Sequence, residues 1–287
     1  MKINLHTHTL WCDGNNSVED NALAAIERGF DVLGFSGHSM HPFAGSWHIA
    51  PRDFADYEAE VLKIREKYKD KIQILLGYEA DYFPGVTVPS KAAYKARGLN
   101  PDYLIGSVHY VLSERGHYTV DSYVERVREN LIRLYGKENH GMEAVDGRLA
   151  VCEYFSAQRE MLAKGDFEIL GHADVIRKRN GILKFFDESD TWYADELKAT
   201  ADAAAKAGVI VEINSGGIAR QALDDFYPSE QFLALLFERK VPVLVSSDSH
   251  STDTLDFAFE RAVAQAKKIG YKELVYPLGG RTVAVKI

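Results

Sequence analysis

Cysteine is scarce in this 287-residue chain, which has Cys12 and Cys152 and no other. A chain of this length can bury a substantial core without disulfide staples, so reduced thiols are expected. Long apolar runs are missing as well: none approaches the ~18 residues that a membrane-crossing helix needs. The first strand begins without a basic-then-apolar leader, so a cytoplasmic protein with no membrane partner is expected. Positive charge is not in excess, since 34 Lys and Arg stand against 42 Asp and Glu for a net of −8. That balance disfavours nucleic acid and anionic membrane surfaces, while leaving room for a local cationic pocket. No repeat, linker or low-complexity tract divides the chain, and one domain over residues 1–287 is the expectation.

What is present is an ordinary globular composition, 46% hydrophobic and 26% charged, arranged in an alternating pattern. Short β-branched segments read as strands near Ile3–Leu5, Val32–Phe35, Ile72–Leu76, Tyr103–Ile105, Phe167–Leu170, Val209–Ile213 and Val241–Val245. Helical patterns fall between them. Ser17, with Asp20 three residues on, is a candidate N-cap for a helix whose apolar face is Ala22, Leu23 and Ile26 and whose stop is Gly29. Phe54 to Tyr68, the stripe Tyr123, Val127, Leu131, Leu134, and the alanine-rich run Thr191 to Ala207 give three more. Strand and helix alternating in this way predict a parallel α/β fold, which a barrel closes without edges. Residues 110–165 exceed an ordinary connection and read as a helical insertion, either a lid at the barrel mouth or an elaboration remote from the chemistry.

The histidines concentrate where these strands end. In "INLHTHTLWCDG", His6 and His8 share one face of an extended chain, and Asp13 follows across a turn. The second strand leads into His38 in "GFSGHSMHP", the third into Glu79 in "LLGYEADYFP", the fourth into His109 and the fifth into His172. The sixth ends in "EINSGG" with Asn214, and the seventh in "SSDSH" with Asp248 and His250. In a barrel the carboxyl ends of the strands open onto one face. Six of the ten histidines and three carboxylates at that face predict a metal centre. Nine ligands are too many for one or two ions at about four to six ligands each, so three divalent ions fit better. A mainly imidazole donor set favours Zn, Mn, Fe or Ni over Mg or Ca.

The stretches "HTHTLWCDG", "SGHSMHP", "GYEADY", "GSVHYV", "GHADVIRK", "NSGGIARQ…YPS" and "SSDSH" resemble the ordered motifs of the PHP (polymerase and histidinol phosphatase) superfamily. They are similar in particular to its histidinol-phosphate phosphatase branch. The resemblance implies a distorted (β/α)7 TIM-like barrel. It also implies one metal on His6, His8, Glu79 and Asp248, a second on Glu79, His109 and His172, and a third on Asp13, His38 and His250. Some members carry His where this chain has Asp13, which leaves a ligand in place. Many carry Asp-His where it has Gly37-His38, which removes a carboxylate neighbour.

Such a cluster suits phosphate ester hydrolysis, with water activated beside Glu79 attacking phosphorus in line. Three divalent ions, three carboxylates and one hydroxide leave a net of roughly +2, which a phosphate monoester dianion neutralises. Arg177 and Arg220 match basic residues of the histidinol phosphatase motifs and are candidate phosphate contacts, with Lys178 and Arg179 expected as solvated flank. His41 is a candidate to protonate the leaving alkoxide or touch phosphate. Asp248 and His250 are the alternative acids. His48 in "GSWHIA" reads as a loop histidine, possible as a pocket neighbour of Trp47. Asp224 and Asp225 are candidates for a substrate amine. The expected activity is hydrolysis of L-histidinol phosphate to L-histidinol and phosphate in histidine biosynthesis. The alternatives are a PHP phosphoesterase for nucleotides or other small phosphate esters, and a metal-binding regulator without turnover.

Overall fold

In the computed structural model, which describes residues 1–40, 45–114, 116–278 and 280–287, seven parallel strands form a nearly closed barrel. They are β1 (Ile3–Asn4), β2 (Val32–Ser39), β3 (Gln73–Asp81), β4 (Tyr103–Ser107), β5 (Ile169–Leu170), β6 (Ile210–Asn214) and β7 (Val243–Ser246), paired in chain order. Each segment read as a strand contributes one of them. Their residues are almost wholly buried, because helices cover the outside while side chains fill the inside. Among the described residues no helix is long and apolar enough to cross a membrane.

Closure comes at the carboxyl end. Thr7 bridges Ser249 in parallel, with the His8 amide donating to the Ser249 carbonyl at 2.8 Å and the Ser249 amide to the His6 carbonyl at 3.1 Å. Beneath this seam Asn4 Nδ2 donates to Ser247 Oγ at 2.8 Å and to the Leu255 carbonyl at 3.2 Å. The first and last strands are thus stitched together by Asn4 and the His6 and His8 main chain on one side and by Ser247 and Ser249 on the other.

The surrounding helices are α1 (Val18–Glu27), α2 (Phe54–Tyr68), α3 (Val124–Tyr135), α4 (Gly147–Lys164), α5 (Thr191–Ala207), α6 (Glu230–Glu238) and α7 (Phe259–Ile269). The Ser17 and Asp20 capping box forms at the start of α1, satisfying two otherwise orphaned amides. α5 ends at Gly208, whose φ of 71° is left-handed.

The stretch between β4 and β5 differs from an all-helical reading. It opens with an antiparallel hairpin, Tyr110–Ser113 against Gly116–Thr119, before α3 and α4. The alternation of Val111 and Tyr118 inward with Leu112 and His117 outward has the two-residue period of a ribbon, which the helical stripe beginning at Tyr123 obscured. A second hairpin, Glu273–Leu278 with Arg281–Lys286, lies beyond the barrel.

Tyr103 fixes the barrel interior. Its fully buried hydroxyl donates to the Leu5 carbonyl at 2.5 Å and lies 3.2 Å from that of Phe35. Its ring occupies the space left by the missing side chains of Gly34 and Gly77, where a Cβ would overlap it. Gly77→Ala should therefore lower stability by about 1–3 kcal/mol through overpacking, measured by urea unfolding. A loss too small to detect would mean that the Tyr103 ring can shift freely.

Candidate metal centre

Period two along an extended chain carries His6 and His8 past β1 with both rings inward and fully buried. The register of β2 against β3 sets His38 opposite Glu79. His109 and His172 follow β4 and β5, and Asp248 and His250 follow β7. The backbone of Asp248 is left-handed, with φ 51°, a conformation an aspartate tolerates better than most residues.

Glu79 lies at the middle of this ring. Its Oε2 is 3.1 Å from His6 Nε2, 3.0 Å from His38 Nδ1 and 3.5 Å from His8 Nε2. Its Oε1 faces the other way, 2.9 Å from His172 Nε2 and 3.4 Å from His109 Nε2. Asp248 Oδ1 stands 3.2 Å from His8 Nε2 and 3.6 Å from His6 Nε2. Asp13 approaches His250 Nε2 at 3.2 Å, His8 Nδ1 at 3.5 Å and His38 Nε2 at 3.7 Å. All nine expected ligands thus converge. Their donor atoms gather into groups that include His6, His8 and Asp248; Glu79, His109 and His172; and His8, Asp13, His38 and His250.

The set fits divalent metal on its own chemistry. His8 Nε2, His38 Nδ1 and Asp13 Oδ1 are buried and make no hydrogen bond among the described residues, a costly condition unless a cation takes their lone pairs. His109 Nε2 and His172 Nε2 face each other at 3.2 Å beside Glu79. Burial alone would push the Glu79 carboxyl up, but His38, His6 and His109 hold it well below the usual range. Burial works against a charged His109 too, yet Asp81 and Glu79 raise it to about 10. His8 goes the other way, down to about 3, through burial and the neighbouring His250 and His38. Buried carboxylates here demand positive charge, and metal binding releases the protons that otherwise supply it.

Two carboxylates that were not among the expected site residues orient the candidate ligands. Glu212 on β6 accepts from His6 Nδ1 at 2.9 Å, the His172 amide at 2.7 Å, Asn214 Nδ2 at 2.8 Å and Ser246 Oγ at 2.6 Å. Asn214 therefore serves to orient Glu212. Asp81, two residues past Glu79 on β3, pairs with His109 Nδ1 and with His48 Nε2 at 3.0 Å. His48 is accordingly buried beneath Trp47, with ring centroids 3.5 Å apart. A ligand histidine whose second nitrogen meets a carboxylate has its tautomer and ring plane fixed. Cys12 Sγ lies 3.4 Å from His8 Nδ1, and burial with Asp13 nearby pushes its thiol up to about 12.

The cluster floors a cavity of about 440 Å³ whose walls include Trp47, Asp121, Tyr123, Lys178, Arg179 and Arg220. Arg220 Nη2 donates to Asp248 Oδ2 at 2.6 Å, and Nη1 lies 3.1 Å from both the Asp248 carbonyl and His250 Nδ1. Arg177 is not at the cavity. It is buried, donating to Glu188 at 2.7 Å, Asp225 at 2.9 Å and the Phe226 carbonyl at 3.1 Å. The reason is the phase of a 3-10 helix, Val175–Arg179, with three residues per turn. It directs Arg177 inward and presents Val175, Lys178 and Arg179 to the cavity, the reverse of the expected phosphate contact and solvated flank. Asp225 is thus taken by Arg177, and Asp224 is bound at the surface by Arg261. His117 and His140 are exposed, and His41 lies outside the described residues.

The PHP domain model matches residues 4–216. A Deinococcus radiodurans protein named "Probable histidinol-phosphatase" is 26% identical over 94% of this chain and 95% of its own. A solved structure from Listeria monocytogenes shares the fold, with TM-score 0.74, 22% identity and coverage of 91% of this chain and 99% of that one. A Lactococcus lactis histidinol phosphate phosphatase, solved with zinc, L-histidinol and phosphate, has TM-score 0.68 and 18% identity and covers 98% of each chain.

Asp81→Asn and Glu212→Gln should each reduce metal affinity by about 10–100-fold, read as metal retained after dialysis against graded chelator. Wild-type retention in both variants would mean that these carboxylates do not orient the ligands.

Proposed function

The chain belongs to the PHP domain family, and on that premise we propose that it is a metal-dependent phosphomonoesterase converting L-histidinol phosphate to L-histidinol and phosphate. It would act in the cytoplasm, within histidine biosynthesis. The observation that carries the reading is Glu79, its two oxygens turned to separate groups of imidazoles at the floor of a cavity sized for a small ester. The names of the curated relative from Deinococcus and the Lactococcus enzyme support the substrate.

His6, His8, Glu79 and Asp248 would hold one ion, Glu79, His109 and His172 a second, and Asp13, His38 and His250 a third. Zinc in the Lactococcus structure and the donor set both favour zinc, with manganese or iron as alternatives. When bound, such ions supply an activated water and positive charge for the phosphoryl oxygens.

The chain's own groups do the rest. Glu79, ionised despite burial, holds the two halves of the cluster in register. Arg220 presents its guanidinium at the cavity wall, already oriented by Asp248 and so ready to meet phosphate oxygens with little loss of side-chain freedom. Lys178 adds a second cation to the wall. Arg220, with the neighbouring His6 and His8, holds the Asp248 carboxyl well below the usual range against the upward push of burial. Asp248 therefore enters the reaction ionised and has no proton to give, which leaves His250 and His41 as candidate acids for the leaving alkoxide.

Phosphate release from L-histidinol phosphate, nucleoside monophosphates, sugar phosphates and a phosphodiester tests the reading. Histidinol phosphate should lead in kcat/KM by about a hundredfold or more. A nucleotide preference would discard the histidine-pathway assignment, and no hydrolysis with any metal would indicate a regulator. Glu79→Gln should lower kcat by about 10²–10³-fold or more. Arg220→Ala should mainly raise KM, by about tenfold. Unchanged kinetics in either variant would remove that residue from the site.

A further inference from the structure

The substrate just proposed carries an ammonium three bonds from its leaving oxygen, and nothing in the metal cluster recognises a cation. Four carboxylates line the cavity: Asp13, Glu79, Asp121 and Asp248. Three belong to the ligand set, and Asp121 does not.

Asp121 follows the hairpin of the insertion. Its Oδ2 accepts from Lys178 Nζ at 3.0 Å, while Oδ1 accepts no hydrogen bond among the described residues. The backbone here needs no help from the carboxylate. Arg179 already ties the segment to the loop after β5, through the Ser122 carbonyl at 2.7 Å and the Asp121 carbonyl at 3.4 Å. Burial pushes the Asp121 carboxyl up, but Lys178 and His109 outweigh it and keep the group ionised. It lines the same cavity as Glu79, His109, His172 and Arg220, so it faces the space where the ester would react. A partly buried ion pair in a cavity wall contributes little to stability, and one carboxylate oxygen is left to accept.

We propose that Asp121 determines specificity, accepting the substrate's ammonium at Oδ1 and so selecting phosphate esters of amino alcohols over uncharged alcohols. This rests on the phosphomonoesterase reading. It goes further by assigning the cation of the leaving group to one residue.

The test compares L-histidinol phosphate with its deamino analogue, 3-(imidazol-4-yl)propyl phosphate, on metal-loaded enzyme. Wild type should favour the amine by about 10–100-fold in kcat/KM, as expected for a charge-assisted hydrogen bond. Asp121→Asn should erase that preference while changing the deamino reaction by less than about threefold. Lys178→Met should preserve or widen the preference, because the ammonium then has the carboxylate to itself. Equal loss on both esters in Asp121→Asn, an intact preference in that variant, or no preference in wild type would each overturn the proposal. If Asp121→Asn fails to fold, the wild-type ratio and a collapse of preference in Lys178→Met decide against it. Should wild type not hydrolyse histidinol phosphate, the pathway reading fails separately. O-phosphoethanolamine against ethyl phosphate then tests Asp121 in the same way.

Discussion

A carboxylate with no exposure to water must be matched by positive charge, and most of this structure can be understood as meeting that demand for Glu79. Its position on β3 places it where the ends of β1, β2, β4 and β5 deliver imidazoles to both of its oxygens. Each of those imidazoles must be held with one nitrogen inward, which in turn calls for Glu212 behind His6 and Asp81 behind His109. Ligands, orienting carboxylates and bonded neighbours such as Asn214 and His48 form nested layers around one buried charge.

The same residues close the barrel. The seam between β1 and β7 is made through Thr7 and Ser249, the residues lying between the ligands of each pair. Alternation along the chain thus lets one short segment point main-chain groups at its neighbour and imidazoles at the cavity. The fold and the candidate centre are therefore coupled, since the short segments that close the barrel also carry the converging donor atoms.

The convergence of the nine candidate ligands was legible because it needs only two facts: strands that end in His, Asp or Glu, and a parallel barrel whose strand ends share one rim. Asp81 was legible in principle, since it lies two residues past Glu79 and so on the same face, but two adjacent carboxylates give no sign of which meets metal and which meets histidine. Glu212 was hidden by Asn214, the more conspicuous residue at the end of its strand. Arg177 and Lys178 exchanged places because the turn after β5 winds as a 3-10 helix, and a one-residue change of phase cannot be read from composition. Asp121 stayed out of view because the hairpin that carries it interrupts an otherwise helical insertion. What failed to show was orientation within loops, where no periodicity operates.

The central claim is that Glu79 joins two of three metal positions held by these nine side chains. X-ray anomalous scattering from crystals of metal-loaded protein tests it directly. The account predicts three peaks at about 2.0–2.3 Å from their ligands, with Glu79 reaching two of them and Asp13, His38 and His250 enclosing the third. One or two peaks at full loading, or three with Glu79 touching none, would contradict it.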